Sequence, residues 1–398
     1  MKNTRLFVGS CFMAMASLAF AQDQPAPAPA APAAPTPLPT PAITGPLSGL
    51  PPATFDAGPF GKIAVNGFFT GWGLLQNNHF AGDDTARADL SNGQIVIQKT
   101  DGVFQFYLQA GAYALPNLGA PFVKTKDIFS NTYGPLPVAF AKVQAGKNTS
   151  FLIGSLPTLI GAEYTFTFEN MNVQRGLLWN QETAISRGIQ VNQAMGKFSA
   201  SFSWNDGFYS NRYNWLSGSL AYTNGHNALS FVAGGNLGQT AFQTFATPVQ
   251  NNGSIYNVIY TYTNGPLIIQ PYFQYTDVPT NTKIGITKGA STKGGAILAS
   301  YAFKHGFSLP VRWEYIASSG SVKENSVNLM YGPGSNGTSF TVTPTVQRGG
   351  FFARGDIAWV HIGSYVPGAV FGPNGTDNNQ FRVAGEIGFI FGDNIERK

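Results

Sequence analysis

NWLSGSLAYTNGHNALSFVAGGN, residues Asn214 to Asn236, consists of two alternating arms either side of Asn224-Gly225. In the first arm Leu216, Leu220 and Tyr222 share one parity, and Ser217, Ser219, Ala221 and Thr223 share the other. In the second arm Leu229, Phe231 and Ala233 oppose Ala228, Ser230 and Gly234. Successive side chains of a strand point to opposite faces, so each arm has one greasy face and one small, polar face. Asn-Gly between two such runs is the strongest short-range signal for a β-hairpin. The fold turns on which of the two faces meets water.

Working outward, about sixteen such strands follow one another from Phe60. Their connections alternate between short and long. The short ones are tight turns at Thr100 to Gly102, Gly146 to Asn148, Gly196 to Lys197, Asn224 to His226, Asn264 to Pro266, Lys304 to Gly306 and Arg348 to Gly350. The long ones lie near Asn77 to Gly93, Pro116 to Pro137, Pro157 to Thr183, Asp206 to Tyr213, Leu237 to Gly253, Asp277 to Ser291, Ser318 to Gly337 and Gly363 to Asn378. Tight turns at one end and long loops at the other mark a transmembrane antiparallel up-and-down β-barrel, with short periplasmic turns and long extracellular loops. Alternation also occurs in soluble propellers and sandwiches. Size decides between them: a barrel of about sixteen strands is too wide for Ser, Thr, Gly and Gln to fill, so its interior holds water. The greasy face then points outward, where only a bilayer stabilises it.

Composition agrees. Of 398 residues only 11% are charged, 14% are aromatic, and there are 47 Gly and 32 Phe. Residues 1–21 have the charged start (Lys2, Arg5), apolar run and Ala19-Phe20-Ala21 end of a secretory signal peptide. Its removal takes Cys11, the one cysteine, so the mature chain has no disulfide or thiolate metal site. The formal charge of +5 falls to +3 without Lys2 and Arg5, too mild for a nucleic-acid binder. Beyond the signal no apolar run approaches a transmembrane helix. Residues 22–59, with PAPAPAAPAAPTPLPTP at their heart, read as a Pro/Ala-rich disordered spacer, residues 60–392 as the barrel, and 393–398 as a C-terminal tail. The last strand, Phe381, Val383, Ile387, Phe389 and Phe391 against Arg382, Ala384 and Glu386, looks like the aromatic-rich closing strand by which barrel-assembly machinery recognises barrels during biogenesis, although Gly392 to Lys398 follow it here.

The motifs GSLPTLIGAEYTFTFENMNVQRGLLW from Gly154, then Trp204-Asn205-Asp206-Gly207 and GGFFARGDIAW, resemble the OmpL-like outer-membrane β-barrel porin family. The resemblance runs from about Phe60 to Phe391. It implies an outer-membrane location in a Gram-negative-type bacterium, contact with outer-membrane lipid, passive diffusion of small hydrophilic solutes and ions, and no catalytic residue. A homo-oligomer such as a trimer is compatible with it. In sixteen-stranded general porins, similar in architecture, the third outer loop folds into the channel. Here that loop is Pro157 to Thr183, too apolar to be left in water, and Glu163, Tyr164, Glu169 and Arg175 are its candidate constriction residues. The competing reading is a loop that caps the rim or contacts a neighbouring subunit.

On the inner parity, charges concentrate in the closing strands: Arg312 and Glu314, Arg354 and Asp356, Arg382 and Glu386. They read either as a pore-lining stripe that sets a transverse field with the loop carboxylates, or as paired charges that stiffen the wall. Arg187 falls on the outward parity between Ile185 and Ile189, implying a bulge or a strand that begins beyond the bilayer. Enzymatic, metal and cofactor readings find no support: of four histidines only His79, beside Asp83 and Asp84, draws attention, and a solvated loop explains it. Two alternatives stay open. One is a substrate-selective sugar-type channel, with Tyr107, Tyr113 and Tyr272 on the inner parity; the other is a surface adhesin or receptor acting through loops such as Phe208 to Tyr213.

Overall fold

The computed structural model describes residues 41–43, 45–240 and 248–393. The signal peptide, the spacer up to residue 40 and the tail from residue 394 lie outside the described residues.

Sixteen antiparallel strands close into a barrel. In order these are β1 (Lys62–Gln76), β2 (Ala86–Lys99), β3 (Phe104–Tyr113), β4 (Val138–Gln144), β5 (Thr149–Pro157), β6 (Ile185–Met195), β7 (Phe198–Asn205) and β8 (Trp215–Asn224). There follow β9 (Asn227–Asn236), β10 (Ser254–Asn264), β11 (Leu267–Val278), β12 (Ala290–Ala302), β13 (Phe307–Ser318), β14, β15 (Phe351–Ser364) and β16 (Asn379–Phe391). Strand β14 runs in two pieces, Asn336–Val342 and Thr345–Arg348, because Pro344 has no N–H to offer the ladder. Each strand pairs with the next, and β16 pairs back onto β1 from Arg382↔Gln76 to Phe391↔Gly67. Closure leaves no unpaired edge in lipid, the condition a bilayer imposes on a sheet.

The parity follows the sequence. In β16 Phe381, Val383, Ile387, Phe389 and Phe391 are exposed, while Arg382, Ala384, Glu386 and Ile390 are buried. In β7 Phe198, Phe202 and Trp204 face out and Ser199, Ser201 and Ser203 face in. In the opening hairpin Leu220 and Phe231 face out, whereas Ser217, Ser230 and Trp215 face in. The turn of that hairpin differs by one residue from expectation. Asn224 pairs with Asn227, so Gly225 and His226 are the two loop residues. Gly225 takes φ +58, the left-handed region that a two-residue hairpin demands of its first residue and that glycine adopts without strain.

Two irregularities matter for register. The β1–β2 pairing shifts between Thr70 and Gly71, leaving Ser91 as a bulge beside Asn92, both buried on the inner side. The β5–β6 pairing, by contrast, runs from Thr149↔Gln193 to Pro157↔Ile185 without a shift. The outward Arg187 thus marks a strand end rather than a bulge: its first β7 neighbour is reached only at Gly188, and its guanidinium pairs with Asp206 at 2.7 Å and sits over Tyr209 at 3.9 Å.

The interior departs from a water-filled cylinder. Inner residues of β1 to β5 include Phe68, Trp72, Val96, Tyr107, Tyr113, Phe140 and Leu152, all buried. Half a turn round, β6 to β9 offer Asn192, Ser203, Ser217 and Ser230. A wall of small polar residues alone would enclose water, but the apolar half needs a partner, and the long connections supply it. The chain between β3 and β4 carries helix α1 (Thr125–Asn131), and its Leu118 is fully buried. Part of the stretch read as spacer, residues 41–43 and 45–59, lies within the described structure, and Ala53–Asp56 pairs with the start of β1.

Candidate functional site in the barrel lumen

The connection from Pro157 to Thr183 folds into the barrel, where nearly every one of its residues is buried. Its apolar side chains drive this. Phe168 stacks on Phe68 of β1 at 3.9 Å, and Phe166 meets Tyr113 edge-on at 5.4 Å. Ile160 packs with Trp215 and Val232 on the other side of the barrel. Such a segment lowers its free energy by leaving water for the apolar half of the wall.

Burial of a loop backbone requires partners for its amides and carbonyls. Arg312, Glu314, Asp356 and Arg354 of the closing strands supply them, while Glu386 and Arg382 meet loop side chains. Arg312 donates to Glu163 Oε1 at 2.5 Å and to the Gln174 carbonyl at 2.8 Å, and lies 3.4 Å from Glu314. Glu314 accepts from the Leu177 and Leu178 amides at 2.9 and 3.4 Å and from Ser339 at 2.6 Å. Asp356 accepts from the Gln174 amide at 3.0 Å, from its side chain at 3.1 Å and from Thr343. Arg354 pairs with Glu386 at 2.6 Å and donates to the Thr167 and Asn170 carbonyls at 2.5 and 2.9 Å. Glu386 in turn accepts from the Thr167 hydroxyl at 2.6 Å. Arg382 donates to the Asn117 and Ala120 carbonyls at 2.7 Å each and to Gln174 Oε1 at 3.3 Å.

These contacts correct two expectations. The six charges do not line an open pore opposite the loop carboxylates; they grip the loop itself. Nor do the four loop residues face a free lumen. Glu163 is held by Arg312 and by the Gly176 amide at 2.7 Å. Glu169 accepts from the Phe166 amide at 3.1 Å, closing a short 3-10 turn. Arg175 is fully buried, stacks 4.5 Å over Trp179 and donates to the Thr165 carbonyl and to Asn117. Tyr164, partly buried, exchanges backbone bonds with the Asn170 side chain at 2.7 and 2.8 Å.

Burial sets the protonation of the loop. It pushes the Glu169 carboxyl up to about 7 against the Phe166 and Ala42 amides, and lowers Arg175 to about 9. Glu163 is raised by burial, opposed by Arg312. Glu182 is raised well above the ordinary carboxylate range by burial and by the charges of Glu163 and Glu314. Among the described residues neither Glu182 oxygen has a hydrogen-bond partner, although Tyr272 lies near enough to ease its charge. A neutral carboxyl at this position removes the cost of an unpaired buried charge.

Several participants were invisible in the sequence. Gln174, Thr167, Asn170, Asn117 and Thr343 mediate the grip, and Gly176 makes it geometrically possible. A Cβ on Gly176 would fall 2.0 Å from Glu314 Oε1, so only glycine lets Glu314 reach the next two amides. The available signal was the run Arg175-Gly176, with polar amides set among apolar residues. The three inner tyrosines do not form a path: Tyr107 and Tyr113 belong to the apolar cluster of β1 to β5, and Tyr272 to another with Leu178. The His79 ring meets the carbonyl of Phe80 at 3.0 Å, and Asp83 is engaged by Gln76 and Arg87. Among the described residues no His, Cys, Asp and Glu cluster has metal-binding geometry.

A family model described as "Putative beta-barrel porin-2, OmpL-like" matches residues 62–391. No protein with a curated description matches the chain. Solved structures of similar fold include Vibrio cholerae OmpT in its trimer form, with 11% identity, 83% of this chain and 99% of that one covered, and a TM-score of 0.53. Others are the outer membrane channel DcaP of Acinetobacter baumannii (9%, 87% and 100%, TM-score 0.52) and Salmonella typhi OmpF in complex with daunomycin (11%, 83% and 98%, TM-score 0.55).

Proposed function

Because the chain belongs to the OmpL-like beta-barrel porin family and lies in the outer membrane of a Gram-negative-type bacterium, we propose that it is a non-enzymatic channel for passive diffusion of small hydrophilic solutes and ions. The observation that carries this reading is the loop at 157–183, held inside the lumen by Arg312 and Arg354 through its carbonyls and by Arg382 through the Gln174 side chain. A loop anchored so on β13 to β16 narrows the lumen, and the short polar side chains of β6 to β9 supply the opposite face of the path. Hydroxyls and amides there exchange hydrogen bonds with a hydrated solute without holding it. The wall charges act on selectivity through the loop that they hold, since Arg354 and Arg312 are already matched by carboxylates. A homotrimer is the proposed assembly, as in the trimer form of OmpT.

Liposome swelling with sugars of graded size tests the channel directly. A size cutoff without saturation supports diffusion, saturation assigns a selective channel, and no swelling at any size, in the intact chain and in a chain lacking residues 22–52 and 164–172, sinks the reading. Deletion of residues 164–172 enlarges single-channel conductance if the loop is the constriction. A folded deletion barrel with unaltered conductance removes the loop from that role.

A further inference from the structure

The residues ahead of β1 occupy the lumen as well. Traced back from Ala53, the chain passes the mouth at the short-turn end. There the Asp393 amide donates to the Pro51 carbonyl at 2.8 Å, and Asn66 of β1 donates to the Leu50 carbonyl at 3.2 Å. Next, Ser48 and Gln347 of β14 bond in both directions, at 2.7 and 2.9 Å. Leu47 is 1% exposed within the apolar cluster of Phe68, Tyr107, Phe140, Leu152 and Phe352, against which Ile43 and Leu50 also pack. Finally the Ala42 amide donates to Glu169 Oε1 at 3.1 Å, which brings this segment to the underside of the constriction loop.

We propose that the described residues 41–43 and 45–52 are a plug, an N-terminal leg that enters the barrel from the periplasmic mouth and closes the path left by the loop. The inference rests on the channel reading. Three features support a seal rather than a passing contact. Residues 41–52 contain no charged side chain, and four are proline, so the leg carries little hydration and few amide donors of its own. Its contacts span the height between the turns and the loop tip. A Cβ on Gly392, just beyond β16, would fall 2.1 Å from the Pro51 carbonyl and 3.2 Å from Leu50, so the wall is recessed where the leg enters. The same features make the leg removable: side chains of Asn66, Gln347 and Glu169 hold it, outside the strand ladder that closes the barrel.

The test compares single-channel conductance in planar bilayers of the full mature chain, a chain lacking residues 22–52, and the full-length Gly392→Ala variant. The plug predicts a several-fold rise on deletion. It predicts a smaller rise for Gly392→Ala, whose added methyl pushes the leg aside without shortening the chain. In parallel, a cysteine in place of Leu47 in the otherwise cysteine-free mature chain should resist a soluble maleimide, and become reactive when Gly392→Ala is added. Wild-type conductance in a folded leg-deleted barrel, or rapid labelling at position 47 in the parent chain, overturns the plug. If deletion of residues 164–172 opens the channel and deletion of the leg does not, the plug alone fails. If no variant conducts, even with leg and loop segment both removed, the channel reading fails and takes the plug with it.

Discussion

Replacing Arg354 with Met removes a buried contact that holds the loop at two carbonyls. Its guanidinium makes three hydrogen bonds in the lumen, one to Glu386 at 2.7 Å and one each to the Thr167 and Asn170 carbonyls, and forms an ion pair with Glu386 at 2.6 Å. All of its partners are buried. Taking one member from a buried ion pair costs about 3–5 kcal/mol, because the remaining charge keeps its desolvation penalty. That cost falls on the docked loop, not on the wall, whose β15–β16 ladder through Arg354↔Glu386 is made by backbone groups. The docking equilibrium should shift by roughly a hundredfold to a few thousandfold toward release. Single-channel recordings on Arg354→Met, made also in a chain lacking residues 41–52 so that the leg does not mask the effect, should show larger and noisier conductance. The Arg354→Met/Glu386→Leu double variant removes the stranded carboxylate. It should recover about half of the loss, because the Thr167 carbonyl keeps the Asn170 amide at 3.1 Å and the Asn170 carbonyl loses its Arg354 donor at about 1–3 kcal/mol. A folded Arg354→Met barrel whose conductance and open-state noise match the parent would refute the assignment of this arginine as the loop's anchor.

Three further outcomes follow from the same geometry. The Glu169 carboxyl, lifted from 4.5 to about 7, favours the docked loop fully below about pH 4.5 and loses that contribution as pH rises through 7, on the order of 3 kcal/mol in all. Conductance should therefore fall on acidification across neutral pH, and Glu169→Gln should abolish the step; a step that survives the substitution places its origin elsewhere. Trp313, half exposed on the outer face, should tolerate Arg poorly, with a loss of about 2–4 kcal/mol if it lies near the bilayer midplane, read by unfolding of the barrel from lipid in urea. Cysteines along Asn214 to Asn236 should divide by parity: Leu220 and Phe231 positions reacting with a lipid-soluble probe, Ser217 and Ser230 positions silent to it. Uniform reactivity would break the register.

The wall was legible because it is local. A bilayer forces every outward side chain to be apolar, and a strand repeats with period two, so about sixteen alternating runs and their turns yield the strand count and the faces without long-range information. Even the outward Arg187 could be flagged, though only the structure distinguished a strand end from a bulge. The six inner charges stood out for the same reason, as charged residues on an otherwise small or apolar parity. What they bind was not legible. Their partners are largely backbone carbonyls and amides more than a hundred residues away, such as Thr167 for Arg354 and Leu177 for Glu314, and every residue carries identical backbone groups.

The contents of the lumen lay beyond sequence reasoning on similar grounds. Residues 41–52 cannot bury their own apolar surface, so composition alone assigns them to a solvated spacer. The barrel supplies the missing surface through Phe68, Tyr107 and Phe352. From the sequence by itself came a lipid-facing cylinder with a long apolar loop. Only the tertiary structure decided that this loop and the N-terminal leg lie against the inner wall, because that placement depends on the shape left between distant segments once the wall has closed.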